Sequence, residues 1–156
     1  MGLKKRISSG LKQAMKDRDT VRLSTLRLIN AAVKDSEIEL RSREEGERRE
    51  LSDSEVLSIL TKMVKQRHDS ARAYEEGGRL ELAEKENAEI GVIEEFLPAQ
   101  LSETEQAKAI DAAISGAGAE SLRDMGNVMA VLKQNYAGQM DFGVAGPMVK
   151  ERLSKG

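Results

Sequence analysis

The chain has 156 residues, a formal net charge of −2, a single histidine and no cysteine. The absence of cysteine excludes disulfides, thiolate nucleophiles and cysteine-bound zinc, and one histidine excludes a multi-histidine metal site. Charged residues make up 33% of the chain, which is typical of solvated amphipathic helices. The sequence lacks a signal peptide and an apolar run of ~20 residues that would cross a bilayer. We therefore expect a cytoplasmic protein without membrane, metal or cofactor.

The first third of the chain predicts two helices. Apolar residues recur every three or four positions from Leu3 to Met15, which indicates an amphipathic helix. Asp19 or Thr20 then caps a second helix over residues 21–40. This helix is apolar around much of its circumference, so we expect it to be central in its bundle. Its apolar set is Leu23, Leu26, Leu28, Ile29, Ala32, Val33 and Ile38. The polar residues 41–50 predict a loop.

The middle of the chain predicts a helical hairpin. Ser52 and Glu55 form a capping box, in which each side chain bonds a backbone amide of the other, and this box opens the third helix. The glycine pair at residues 77–78 ends that helix, because glycine loses the most backbone entropy in a helix. The fourth helix ends at residues 97–98, since proline disfavours helical geometry in the residue before it.

A second capping box, Ser102 with Glu105, opens the C-terminal part. There the pattern predicts a first helix ending at Gly116, a second beginning at Ser121, and a third beginning at Asp141. The fold class is therefore all-α. We predict an N-terminal four-helix domain with a long hairpin (residues 1–97), a linker (98–101) and a small three-helix domain (102–156).

Charge is distributed unevenly along the chain. Residues 1–34 hold nine basic and two acidic residues, whereas residues 35–97 hold ten basic and eighteen acidic ones. The C-terminal residues 98–156 hold six basic and seven acidic residues. The basic first third either faces phosphate or neutralises the acidic hairpin within one domain.

Arg67 is predicted to pair across the hairpin. If the turn is centred between residues 77 and 78, Arg67 lies near the level of Glu86 and Glu89 in an antiparallel arrangement. An unpaired buried charge is costly, and a guanidinium suits a carboxylate partner. We therefore favour a structural ion pair of Arg67 with Glu86 or Glu89. The alternative is a polar pocket for a ligand or RNA.

Basic residues at helical spacing are candidates for RNA binding. Two rows are predicted on the second and third helices, and a further set lies in the C-terminal domain. The candidates are Arg27, Lys34, Lys62, Lys65, Arg123, Lys133, Lys150 and Arg152. Acidic residues are interspersed in the two rows, so a solvated helix face is the alternative interpretation. Neither a nucleophile motif nor a phosphate-cradling glycine loop occurs, and we predict no catalytic residue.

Three segments resemble the YqeY family: residues 26–38 (LRLINAAVKDSEI), 62–98 and 124–129 (DMGNVM). Members of this family are free-standing relatives of the tail of GatB, a component of the glutamine-dependent aspartyl/glutamyl-tRNA amidotransferase. The resemblance implies two small helical domains, and in the amidotransferase the tail grips tRNA. Relatives often show Gly-Lys-Val-Met at the third segment, where this chain has Asn127 in place of the lysine.

The resemblance implies a protein that binds tRNA or an aminoacyl-tRNA complex without catalysis of its own and assists amidotransfer. Its expected partners are tRNA and an amidotransferase or another translation-related protein. The alternative function is a helical protein–protein adaptor that binds no RNA. Basic residues clustered on one surface would favour RNA, and dispersed ones would favour the adaptor.

Overall fold

The computed structural model describes residues 2–43 and 50–155, and the side chain of Arg43 is outside that description. The described residues form seven α-helices and one short 3-10 helix without any strand, so the all-α prediction is confirmed. The chain divides into two compact units, Met1–Leu97 and Pro98–Gly156. Within the described residues, no helix is long and apolar enough to span a membrane.

The first unit contains four helices: α1 (Leu3–Asp17), α2 (Thr20–Arg43), α3 (Asp53–Glu76) and α4 (Leu80–Glu94). Of the two predicted caps of α2, Asp19 does the capping, because its carboxylate accepts the backbone N–H of Arg22 at 3.1 Å. The prediction of a loop over residues 41–50 is wrong at its first residues, since α2 continues to Arg43. Residues 44–49 of that loop lie outside the described residues.

Helix α2 contacts each of the other three helices of its unit, as its broad apolar surface predicts. Its inner side buries Leu26, Ile29 and Val33 in a core to which all four helices contribute. This central position does not bury the whole apolar set, because Leu28 is 45% exposed and Ile38 is 61% exposed. The three neighbouring helices cover one side of α2 and leave these residues on the other.

Helices α3 and α4 form the predicted hairpin. The Ser52 hydroxyl accepts the N–H of Glu55 at 3.2 Å, and the Glu55 carboxylate accepts the N–H of Ser52 at 3.2 Å. This capping box starts α3 as predicted. At the turn, Gly78 has φ +74°, a left-handed conformation that glycine adopts without steric cost. The turn reverses the chain so that α4 packs along α3.

The second unit contains α5 (Glu103–Ala117), a 3-10 turn (Leu122–Asp124), α6 (Met125–Tyr136) and α7 (Phe142–Lys155). The prediction that Gly116 ends its first helix is wrong. Gly116 stays helical, and Gly118 ends α5 in the left-handed region with φ +62°. The third predicted helix, α7, runs through Pro147 to Lys155.

The residues predicted as a linker are attached to the second unit. The backbone N–H of Leu101 donates to the Gln139 carbonyl at 2.9 Å, and the Gln100 amide donates to the Gly138 carbonyl at 2.5 Å. Leu101 also packs against the core of this unit. Residues 100 and 101 therefore belong structurally to the C-terminal bundle.

Candidate RNA-contacting surfaces

The Arg67 side chain lies between the two helices of the hairpin. Its Nε donates to Oε2 of Glu89 at 2.8 Å, and its Nη1 donates to the Met63 carbonyl at 3.1 Å. The side chains of Arg67 and Glu89 are only 14% and 11% exposed. The second predicted partner, Glu86, is half-buried, and the carboxylate that meets Arg67 is that of Glu89.

Both hydrogen bonds of the Arg67 guanidinium are made to groups of the hairpin itself. One nitrogen donates to the Glu89 carboxylate on α4, and another donates to the Met63 carbonyl, one turn earlier on α3. Because both contacts are within the hairpin, the pair fixes α3 against α4 at a defined level. The arrangement fits a structural ion pair and leaves little of the guanidinium for an anionic ligand.

Three of the four C-terminal candidates project from the surface of the second unit. Arg123, Lys133 and Lys150 are exposed. Across residues 2–43 and 50–155, none of the three has an acidic side chain within ion-pair distance. Each of the three is therefore open to solvent and not engaged by a carboxylate of the described residues, which suits a contact to phosphate.

Arg152, the fourth C-terminal candidate, is bonded within its own unit. Its Nη1 donates to the Ala107 carbonyl at 3.0 Å and also to the carboxylate of Asp111. Both acceptors belong to α5, so the side chain ties α7 to α5. This engagement could not be recognised in the sequence, since Arg152 and Asp111 are 41 positions apart. An RNA phosphate would have to compete with Asp111 for this guanidinium.

Two small residues lie on the solvent-exposed face of α6 beside Lys133. Gly126 and Lys133 are seven residues apart, which puts them on the same face, and Ala130 lies between them; all three are exposed. A Cβ placed on Gly126 would have no heavy atom within 4 Å apart from its own helix and chain neighbours. The glycine is therefore not required for packing inside the unit. A pair of small residues beside a lysine suits close approach of a nucleic-acid backbone.

The N-terminal candidates lie on two different helices. Arg27 and Lys34 are exposed on one face of α2, seven residues apart. Lys62 and Lys65 are exposed on the side of α3 opposite its buried residues, with the exposed Asp69 on the same face. The four candidates of the first unit are therefore divided between two helices. The other four candidates belong to the second unit.

Side chains suited to metal binding are not clustered in the part of the chain that is described. Within that part, no three acidic or histidine side chains are close enough to hold a metal ion. Two carboxyl groups have displaced pKa values. Hydrogen bonds from the Ser102 backbone and hydroxyl lower the pKa of Glu105, and a hydrogen bond from Lys155 lowers the pKa of Glu151. Both shifts arise from ordinary helix-surface contacts.

The family of the chain follows from comparison with known proteins. No curated protein matches the sequence. A family model described as Yqey-like protein matches residues 4–153, which is nearly the entire chain. The chain therefore belongs to the YqeY family.

Proposed function

We propose that this protein binds folded tRNA, alone or in an aminoacyl-tRNA complex, and that it assists amidotransfer without catalysing a reaction itself. The observation that carries the proposal is the exposed set Arg123, Lys133 and Lys150, which have no acidic partner among the described residues. We choose tRNA as the ligand because the family resembles the tail of the amidotransferase, which grips tRNA. The open face beside Gly126 gives a backbone room to approach.

The proposed site uses charge and shape rather than base stacking. The chain has only two tyrosines and two phenylalanines and no tryptophan. Phe96 is buried and Tyr74, Tyr136 and Phe142 are half-buried, so a platform for unstacked bases is not formed by these rings. Lysine and arginine contacts to the phosphates of a folded RNA remain the mode of binding that these units offer.

Salt dependence provides the test. Each phosphate contact releases counterions, so three contacts give a slope of about 2 to 3 in a plot of log affinity against log salt. We expect micromolar affinity for folded tRNA at low salt. Joint replacement of Arg123, Lys133 and Lys150 by Gln should remove most of this slope without unfolding the protein, because all three are exposed.

A control variant with the same loss of charge separates local contacts from general attraction. Three exposed basic residues outside the proposed site serve this purpose: Lys12, Arg79 and Lys85. Their joint replacement by Gln should leave the salt slope within error. If the control lowers the affinity as much as the site variant does, the binding is non-specific. If tRNA and aminoacyl-tRNA both fail to bind at low salt, the proposal is wrong.

The adaptor without RNA binding is the second candidate function. The observation that favours it is the dispersal of the basic groups over separate helices, together with exposed apolar side chains on α2. The adaptor requires no salt-dependent RNA affinity, so the tRNA titration distinguishes the two functions.

A further inference from the structure

The outer side of α2 carries apolar residues that the other described helices leave largely exposed. Val21 and Leu28 are each 45% exposed, Ile38 is 61% exposed, and Ala31 is also exposed. We call Val21, Leu28, Ala31 and Ile38 the outer stripe. Burying one large aliphatic side chain stabilises a protein by about 1.5–3 kcal/mol. Three such side chains along one helix are exposed here, so most of this stabilisation is absent in the free protein. Such a surface usually serves recognition.

The spacing of the outer stripe is that of a helix-pairing seam. Successive members are seven, three and seven positions apart, and Ser24 and Asp35 occupy the two intervening seam positions. Alternating steps of three and four residues keep side chains on one line of a helix, where they face a partner helix throughout. The stripe extends over four to five helical turns, roughly 26 Å at 1.5 Å per residue.

A row of cations borders the stripe on one side. Arg27, Lys34 and Arg41 are exposed and recur at intervals of seven residues, each one residue before a seam position. These are the flanking positions whose charges choose the partner in helix pairs. Among the described residues, none of the three forms an ion pair. We call them the basic edge.

We propose that the outer stripe of α2 docks an amphipathic helix of another protein, and that this helix has carboxylates beside its apolar seam to meet the basic edge. The apolar seams would exclude water and supply affinity. The carboxylates opposite Arg27, Lys34 and Arg41 would fix the register and accelerate association. This inference goes beyond RNA binding and does not depend on it.

A second copy of the chain fits this surface poorly. In an antiparallel pair of α2 helices, equivalent flanks meet, so the basic edge would face the basic edge of the other copy. In a parallel pair the basic edge would face Thr25, Ala32 and Glu39, of which Thr25 is fully buried and Ala32 half-buried. Neither arrangement offers three carboxylates to three cations.

RNA also fits the outer stripe less well than a helix does. Aliphatic side chains make no favourable contact with phosphate, and the exposed carboxylate of Asp35 lies within the seam. A phosphate backbone along α2 would pass this carboxylate. A partner helix, by contrast, can place a polar or basic residue opposite Asp35, and one such polar position commonly sets the register of paired helices.

The experiment uses the full chain and a synthetic helical peptide of about three heptads, with Leu at its seam positions and Glu at both flanks. A matched peptide carries Lys at the flanks. Fluorescence anisotropy should give micromolar binding of the acidic peptide and none of the basic one. Joint replacement of Leu28 and Ile38 by Gln should weaken binding about tenfold or more, and so should joint replacement of the basic edge by Gln. Leu80→Gln, at the first residue of α4, where the leucine is 63% exposed, should have no effect.

Several results would overturn the proposal. Failure of the acidic peptide to bind, or binding that the Leu28 and Ile38 variant leaves unchanged, removes the docking surface. A dimer in sedimentation velocity that the same variant dissociates assigns the stripe to a second copy. If tRNA displaces the peptide and binds the basic-edge variant more weakly than the parent, the basic edge is an RNA-binding surface. Circular dichroism of each variant must match the parent, as expected for exposed positions.

Discussion

Replacing Arg67 by Met should destabilise the first unit strongly. The substitution keeps an unbranched side chain of similar length on α3, so the apolar packing of the stem is largely retained. It removes both the bond to Glu89 at 2.8 Å and the bond to the Met63 carbonyl at 3.1 Å. Glu89, which is 9% exposed, is then left as a buried carboxylate without its cation.

The expected loss in the free energy of unfolding follows from that uncompensated charge. Removing one partner of a buried ion pair costs about 3–5 kcal/mol. The two side chains are 14% and 11% exposed, so some water reaches the carboxylate, and we expect the lower end, about 3 kcal/mol. Removing the charge from both partners, in Arg67→Met with Glu89→Leu, should recover most of that loss, because no buried ion remains.

Lys4→Met provides the control within the same unit. Lys4 bonds Glu37 at 2.6 Å, but the two side chains are 36% and 25% exposed. An ion pair in contact with water contributes about 0–1 kcal/mol, so this variant should unfold close to the parent. Urea unfolding followed by circular dichroism gives the free energies, and hydrogen exchange of α3 and α4 amides locates the loss. If Arg67→Met costs no more than Lys4→Met, the pair is not buried in solution and the reasoning fails.

Three further outcomes are expected. Gly126→Ala should keep or slightly raise thermal stability, since space is free around the added methyl group, while titration with tRNA should show weaker binding if a backbone approaches there. Arg152→Gln should lower the stability of the second unit by about 1 kcal/mol through its lost bonds to α5 and leave the tRNA salt slope unchanged. The pKa of Glu105 is lowered in the folded state by Ser102, so its contribution is present above the unfolded pKa and disappears as pH falls through the folded value; Glu105→Gln should abolish that part of the acid dependence in melting curves.

Helix boundaries were predictable where a short sequence determines them. The boxes at Ser52 and Ser102 each need only a residue three positions later, and both form. The end of α5 was predicted two residues too early. Gly116 and Gly118 can both end a helix, and it is Gly118 that adopts the left-handed conformation. Local chemistry identifies the boundary region, but the sequence pattern does not choose between two glycines that are two residues apart.

Side-chain partners between distant segments were less predictable. The hairpin geometry limited the partner of Arg67 to Glu86 or Glu89, and the rotation of α4 about its axis, which brings Glu89 inward, made the choice. The bond between Arg152 and Asp111 depends on how α7 crosses α5, and no spacing rule reports that crossing. The exposure of Leu28 and Ile38 could not be predicted for the same reason. The apolar pattern of α2 does not show which side of the helix its neighbours leave exposed.

If the proposed RNA binding holds, the small number of basic residues in each candidate group limits its strength. Each group, on α2, α3 or the second unit, offers two or three uncommitted basic residues, which supports only weak attraction at physiological salt. Two weak sites on one chain bind one RNA tightly only when both engage it, because the second contact then benefits from an effective concentration of about mM. If both sites bind the same RNA, loss of either one should remove the whole increase in affinity. If the sites bind independently, loss of one should leave the affinity of the other unchanged. Combining the Arg123, Lys133 and Lys150 replacements with Lys62→Gln and Lys65→Gln therefore tells whether the two units act on the same RNA.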